Sequence, residues 1–223
     1  MTIADNEVDK NTTCNNSENS GNASRNNNNK NNQNIQNNRC INKINIETNK
    51  SLNLHDMNLE VWCCEIDKTD PKIIYTGGDD SKCKLYDVRT DFARLFCKRE
   101  AGVTFVSSEL FGDENLLAVG SYDSCFSVYD KRSSKRPVSE ISLPEQGGCW
   151  RVVKANKNNN SYLVAGMYSG SHLLEVDDKN HEITLKDSWH EKKDGIIYGV
   201  EVFEESFFTC SFYGKTVMKY EKS

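Results

Sequence analysis

Residues 116–130, Leu116-Leu117-Ala118-Val119-Gly120-Ser121-Tyr122-Asp123-Ser124-Cys125-Phe126-Ser127-Val128-Tyr129-Asp130, read as two short β-strands around a tight Gly-Ser-Tyr-Asp turn. The pattern is written three more times, as IIYTGGDDSKCKLYD at 73–87, YLVAGMYSGSHLLEV at 162–176 and SFFTCSFYGKTVMKYE at 206–221. Asp79, Tyr122, Tyr168 and Tyr213 fall at equivalent places in the four copies, about 45 residues apart. A unit repeated at such a period cannot bury its apolar face alone, so it stacks on its neighbours, and the repeat decides the fold.

The period and the paired strands are those of WD-repeat propeller blades, each a four-stranded antiparallel sheet. Tyr86, Tyr129 and Tyr220 stand where the repeat's tryptophan usually stands. Leu59-Glu60-Val61-Trp62-Cys63-Cys64-Glu65-Ile66 opens the first blade, and 91–98 is its outer strand. The second blade runs from 103–107 to 138–143, where Pro144 and Gly147-Gly148 break the pattern. The third begins at 150–154 and takes 181–188 as its outer strand; the fourth runs from 197–202 to Glu221, with no outer strand of its own. The expected fold is all-β, a WD-repeat β-propeller with four visible blades of a ring that usually has about seven. An incomplete gene product is the expectation, the alternatives being closure by a partner or by self-association, or a ring for which four blades suffice.

Composition divides the 223 residues in two. Residues 1–58 are rich in Asn, Ser, Lys and Gln, with a continuous Asn26–Asn29 run and almost no aromatic side chain, and are expected to be a disordered low-complexity segment. Their charges cancel, so the net −5 of the chain belongs to 59–223, the expected propeller. An acidic folded part argues against nucleic acid as the partner. No apolar run reaches the ~18 residues of a membrane span, and no signal-peptide core is visible, so a cytoplasmic protein with no membrane partner is expected. The nine cysteines show no C-x-x-C pairing and fall mostly on predicted strands, which marks them as reduced packing residues and points to no metal.

In a propeller the turn between the second and third strands and the loop leading into the first strand open on one face. The turns contribute Asp79, Asp80, Tyr122, Asp123, Tyr168 and Tyr213; the loops contribute Gly147-Gly148, Trp150, Arg151, His190 and Tyr198. Blades commonly spend such an Asp, a Ser or Thr and a loop His on internal hydrogen bonds, a structural reading open to Asp80, Asp123, His55 and His190. The turn needs no tyrosine, however, so Tyr122, Tyr168 and Tyr213, with Asp79, are candidate ligand contacts. Trp150-Arg151 follows a double glycine that permits close backbone approach, and an arginine there binds a carboxylate or a developing oxyanion, unless it makes only a surface ion pair. His172 and His181 read as structural. No G-x-S-x-G, H-E-x-x-H or Walker-type motif occurs, so these hydrolase classes find no support.

The succession GGDD at 77–80, GSYD at 120–123, GG-x-WR at 147–151, YG at 198–199 and CSFY at 210–213 resembles the diphthine methyl ester hydrolase family, WD-repeat enzymes of diphthamide biosynthesis also called diphthine methyltransferases. The likeness covers about residues 55–223 and departs from the family at Gly214, where an acidic residue is expected, at the three strand tyrosines, and in the missing amino-terminal blades. It implies hydrolysis of the methyl ester of methylated diphthine on translation elongation factor 2, without a cofactor. Asp79, Tyr122, Trp150, Tyr168, Tyr198 and Tyr213 suit recognition of the substrate's trimethylammonio group. His190 or Asp123 is the candidate base and Arg151 the oxyanion donor. A non-catalytic WD-repeat scaffold for protein partners is the competing reading.

Overall fold

Strand after strand, the chain folds back on itself in the computed structural model, which describes residues 39–45, 50–57, 59–90, 92–156, 160–190 and 195–221, the first two stretches and residue 146 by backbone alone. The first sheet holds β3 (Val61–Ile66), β4 (Ile73–Gly78), β5 (Lys82–Asp87) and β6 (Phe92–Lys98) in sequence order. β7 (Val103–Ser107), β8 (Leu116–Ser121), β9 (Cys125–Asp130) and β10 (Ser139–Ser142) form the second, and β11 (Arg151–Lys154), β12 (Ser161–Ala165), β13 (Ser171–Val176) and β14 (Ile183–Trp189) the third. β15 (Ile197–Phe203), β16 (Ser206–Ser211) and β17 (Thr216–Glu221) make a three-stranded fourth sheet, so the expected lack of an outer strand holds among the described residues.

Two strands precede these, β1 (Arg39–Asn45) and β2 (Lys50–Met57), paired antiparallel with a bulge between Ile41 and Asn42. They lie inside the stretch whose average composition predicts disorder, and residues 1–38 lie outside the described residues. The average conceals a local period of two, Ser51-Leu52-Asn53-Leu54-His55, which is a strand signal even in an Asn-rich context.

Apolar layers lie between successive blades. Tyr75, Leu85, Phe96, Leu117, Val119 and Tyr129 fill the first layer; Phe111, Phe126, Val128, Tyr162, Val164 and Leu174 belong to the second. Leu163, Ala165, Ile197 and Val200 form a smaller third layer, flanked by Trp189 and Phe207. Every residue of β8 is buried, because both of its faces meet a neighbouring blade. Tyr129 substitutes competently for a strand tryptophan: its ring meets Phe96 edge-on at 5.8 Å and its hydroxyl accepts from Arg99 Nη1 at 3.3 Å. Tyr220 stacks on Phe207 at 4.7 Å with planes 8° apart. Cys83, Cys97 and Cys149 are buried free thiols in these layers, whereas Cys64 and Cys210 are exposed.

Three innermost strands carry a bulge at the same place: between Val61 and Cys63, between Val103 and Phe105, and between Ile197 and Gly199. The unpaired residues are therefore Trp62, Thr104 and Tyr198. A bulge re-aims a side chain, and these three, with Trp150 just ahead of β11, stand at the head of the four innermost strands.

Candidate functional site

The aromatic side chains at that end of the strands form one connected series. Trp62 lies 6.2 Å from Tyr122 and 6.0 Å from Trp150, centroid to centroid. Trp150 meets Tyr198 edge-on at 5.0 Å, Tyr198 meets Phe212 at 6.0 Å, and Phe212 meets Tyr213 at 5.0 Å. Tyr168 joins through a hydrogen bond to Tyr122, which together with burial and the nearby phenols of Tyr198 and Tyr213 pushes the Tyr122 hydroxyl up to about 12. Rings from all four blades thus meet at the face formed by the β4–β5, β8–β9, β12–β13 and β16–β17 turns.

Below the rings, the innermost strands line a groove of about 740 Å³ whose walls include Trp62, Trp150, Tyr198, Glu65, Arg151 and Glu201. The loop carrying Trp150 and Arg151 is held on both sides. The Cys149 amide donates to the Ser121 carbonyl at 2.9 Å, the Trp150 amide to the Ala165 carbonyl at 2.9 Å, and the Thr104 hydroxyl to the Cys149 carbonyl. The double glycine is required here. Gly148 has φ +82° with Met167 Sδ closing over it, and Gly147 packs so tightly on the Gly166 carbonyl and Ser169 that no Cβ fits. Arg151 Nη2 lies 3.6 Å from Glu201 Oε2 across the seam between β11 and β15, both side chains mostly exposed.

Known proteins show the same architecture and, more narrowly, a related sequence. The WD domain, G-beta repeat model matches residues 47–87, from just before β2 through β5. The solved WD40 β-propeller domain of Doa1 superposes with a TM-score of 0.56 at 13% identity, over 78% of this chain and 58% of that one, which is a likeness of fold alone. The diphthine methyltransferase homolog of Dictyostelium discoideum is 32% identical over 180 residues, 70% of this chain and 48% of that protein. The diphthine methyltransferase of Homo sapiens is 31% identical over 147 residues, 64% of this chain and 32% of that protein. This chain is a WD-repeat protein homologous to the diphthine methyltransferase family. It spans about half the length of the Dictyostelium relative and a third of the human one.

Set against the family's motifs, the predicted site residues divide. Tyr122, Trp150, Tyr168, Tyr198 and Tyr213 join the ring series, and Arg151 lines the groove beside it. Asp79 is exposed on the β4–β5 turn, its amide donating to the Glu60 carbonyl at 3.0 Å; neither it nor Asp123 nor His190 lines the groove. Asp123 belongs to a structural network: its carboxylate accepts from the Ser121 hydroxyl, the Cys125 amide at 3.0 Å and the Glu100 amide at 3.2 Å, and pairs with Arg99 at 3.3 Å. Burial pushes this carboxyl up, but Ser121, Arg99 and Cys125 outweigh it and hold it below the usual carboxylate range, which makes it a poor base. The structural reading thus fits Asp123, and also Asp80, whose carboxylate pairs with Lys84 at 2.8 Å and accepts from the Lys82 amide at 3.2 Å.

In the third blade the network's histidine is His172. Its ring nitrogens contact Ser169 Oγ at 2.8 Å and Ser188 Oγ at 2.9 Å, and burial lowers its pKa to about 4. The Ser169–His172 pair has the spacing of an activated nucleophile, yet both residues are buried and neither lines the groove, so the pair serves the scaffold. His190 is exposed on the same face, with Nδ1 3.4 Å from Glu145. The side chain of His55 lies outside the described residues. Sequence reasoning missed Trp62 and Glu201 as site residues, and placed Phe212 in the fourth turn of the mouth without giving it a role. Trp62 and Glu201 lie on strands that read as framework, and only the bulge and the facing blade bring them into the groove.

Proposed function

We propose that this protein hydrolyses the methyl ester of methylated diphthine on translation elongation factor 2, releasing methanol and leaving a carboxylate. One observation carries the reading: the Trp150 ring and the Arg151 guanidinium, adjacent in sequence, stand together where the ring series meets the groove. The substrate group has the same two parts side by side, a quaternary ammonium and an ester. Ring faces attract the cation, and a guanidinium stabilises the negative charge that develops on the carbonyl oxygen when water attacks. His190, exposed on the same face, is the proposed base: it takes a proton from the attacking water and returns one to the departing methoxide, so that methanol leaves and the C–O bond to water replaces the one broken. Asp123 is withdrawn from that role because its carboxylate is already committed. Homology to a family of diphthamide biosynthesis supports the substrate class.

The test is direct. Incubated with elongation factor 2 bearing methylated diphthine, the protein is expected to release methanol and lower the factor's mass by one methylene unit. Binding of the modified factor without methanol release would favour the scaffold reading instead.

A further inference from the structure

The charged side chains lining the groove are Glu65, Arg151 and Glu201. Glu65 is engaged, its carboxylate accepting from the Ser108 amide at 3.1 Å and from the Ser107 hydroxyl at 3.4 Å. Arg151 and Glu201 face each other from neighbouring blades at 3.6 Å, with 53% and 66% of their side chains exposed. So exposed a pair is weak and exchanges readily with other ions. A trimethylammonio ester brings one positive charge past the rings and, until its oxyanion develops, only a neutral carbonyl oxygen to set against Glu201 for the guanidinium. The corresponding acid brings a carboxylate that can bind Arg151 only by displacing Glu201, and that meets like charge from Glu201 and Glu65 as it approaches.

We infer that Glu201 is a specificity-determining residue that makes the groove prefer a trimethylammonio ester to the matching free acid, and that it reclaims Arg151 as the acid leaves. This rests on the reading of the groove as a trimethylammonio-ester site. It also limits inhibition by product, because the product's new carboxylate is the group that Glu201 displaces.

The probes are glycine betaine methyl ester and glycine betaine, titrated against the intrinsic tryptophan emission of the intact chain, since Trp62 and Trp150 stand in the groove. The wild type is expected to bind the ester more tightly than the acid. Glu201→Gln should raise the affinity for the acid about two- to fivefold, the range of an exposed ion pair, while Arg151→Ala should widen the preference for the ester. At 1 M salt the Debye length falls to about 3 Å and these differences should shrink. Both side chains are mostly exposed, so neither change is expected to disturb folding, and a melting curve of each variant checks it. Equal affinities in the wild type, or an ester-to-acid ratio unmoved by Glu201→Gln, overturn the role of Glu201 while the ester site stands. A wild type that binds neither probe overturns the ester site and this inference with it.

Discussion

Arg151 and Tyr122 occupy different parts of the proposed site and fail differently when removed. Arg151→Ala removes an interaction that grows only as charge develops on the oxyanion, so methanol release is expected to slow about 100-fold or more. Tyr122→Ala removes a ring that meets the cation equally before and during reaction, so steady-state kinetics should show a raised KM with kcat nearly unchanged. An unchanged rate for Arg151→Ala would remove it from catalysis while leaving the fold intact. His172 carries a separate expectation. Its pKa falls from an ordinary 6.5 to about 4 on burial, so between those values the unfolded chain binds the proton that the folded chain excludes. Stability is then full above about pH 6.5 and is lost as pH falls toward 4, by up to about 3 kcal/mol. Urea midpoints measured from pH 7 to pH 4 should show that slope, and His172→Gln should flatten it; an equal slope in the variant would place the acid sensitivity elsewhere.

At the scale of single elements, the bulged innermost strands hold the ring series in place. Trp62 is turned onto Gly102, where the ring leaves no room for a Cβ. Gly102→Ala is therefore expected to shift Trp62 and cost about 1–3 kcal/mol of overpacking, seen as a lower melting temperature together with weaker quenching by the betaine ester. A variant with unchanged melting and quenching would show that the ring tolerates displacement. The β1–β2 hairpin changes what truncation should do. Deleting residues 1–36 should leave the melting temperature unchanged, because their composition offers little apolar surface to bury. Deleting residues 1–50 removes β1 from its pairing with β2 and should lower the melting temperature; identical melting of the two truncations would mean that the hairpin adds nothing to stability.

For the molecule as a whole, the outer edge of β17 has no partner strand among the described residues, and Val217 on that strand is 73% exposed. An unpaired edge with exposed apolar side chains recruits other strands, so the chain is expected to self-associate with rising concentration in sedimentation velocity. Val217→Lys, which places a charge on the edge, should suppress the association. A single monomeric species at all concentrations, with a sharp cooperative melt, would show that the edge is covered. Among the described residues no helix is long and apolar enough to cross a membrane.

The sequence by itself determined the number and order of blades, nearly every strand and the turn face, because these follow from local alternation and from a period that a single chain displays. It also singled out five of the seven connected rings: Tyr122, Tyr168 and Tyr213 because tyrosine is conspicuous in a turn that asks for glycine, serine or aspartate, and Trp150 and Tyr198 because the segments leading into the innermost strands open on the same face. Only the tertiary structure decided that Trp62 and Glu201 belong with them, that Asp123 is committed to Arg99 and Ser121, and that His172 serves as the blade's buried histidine. These are contacts between blades, or placements made by bulges and burial. Alternation along one strand assigns a side chain to a face; what that face meets is set by the strand packed against it.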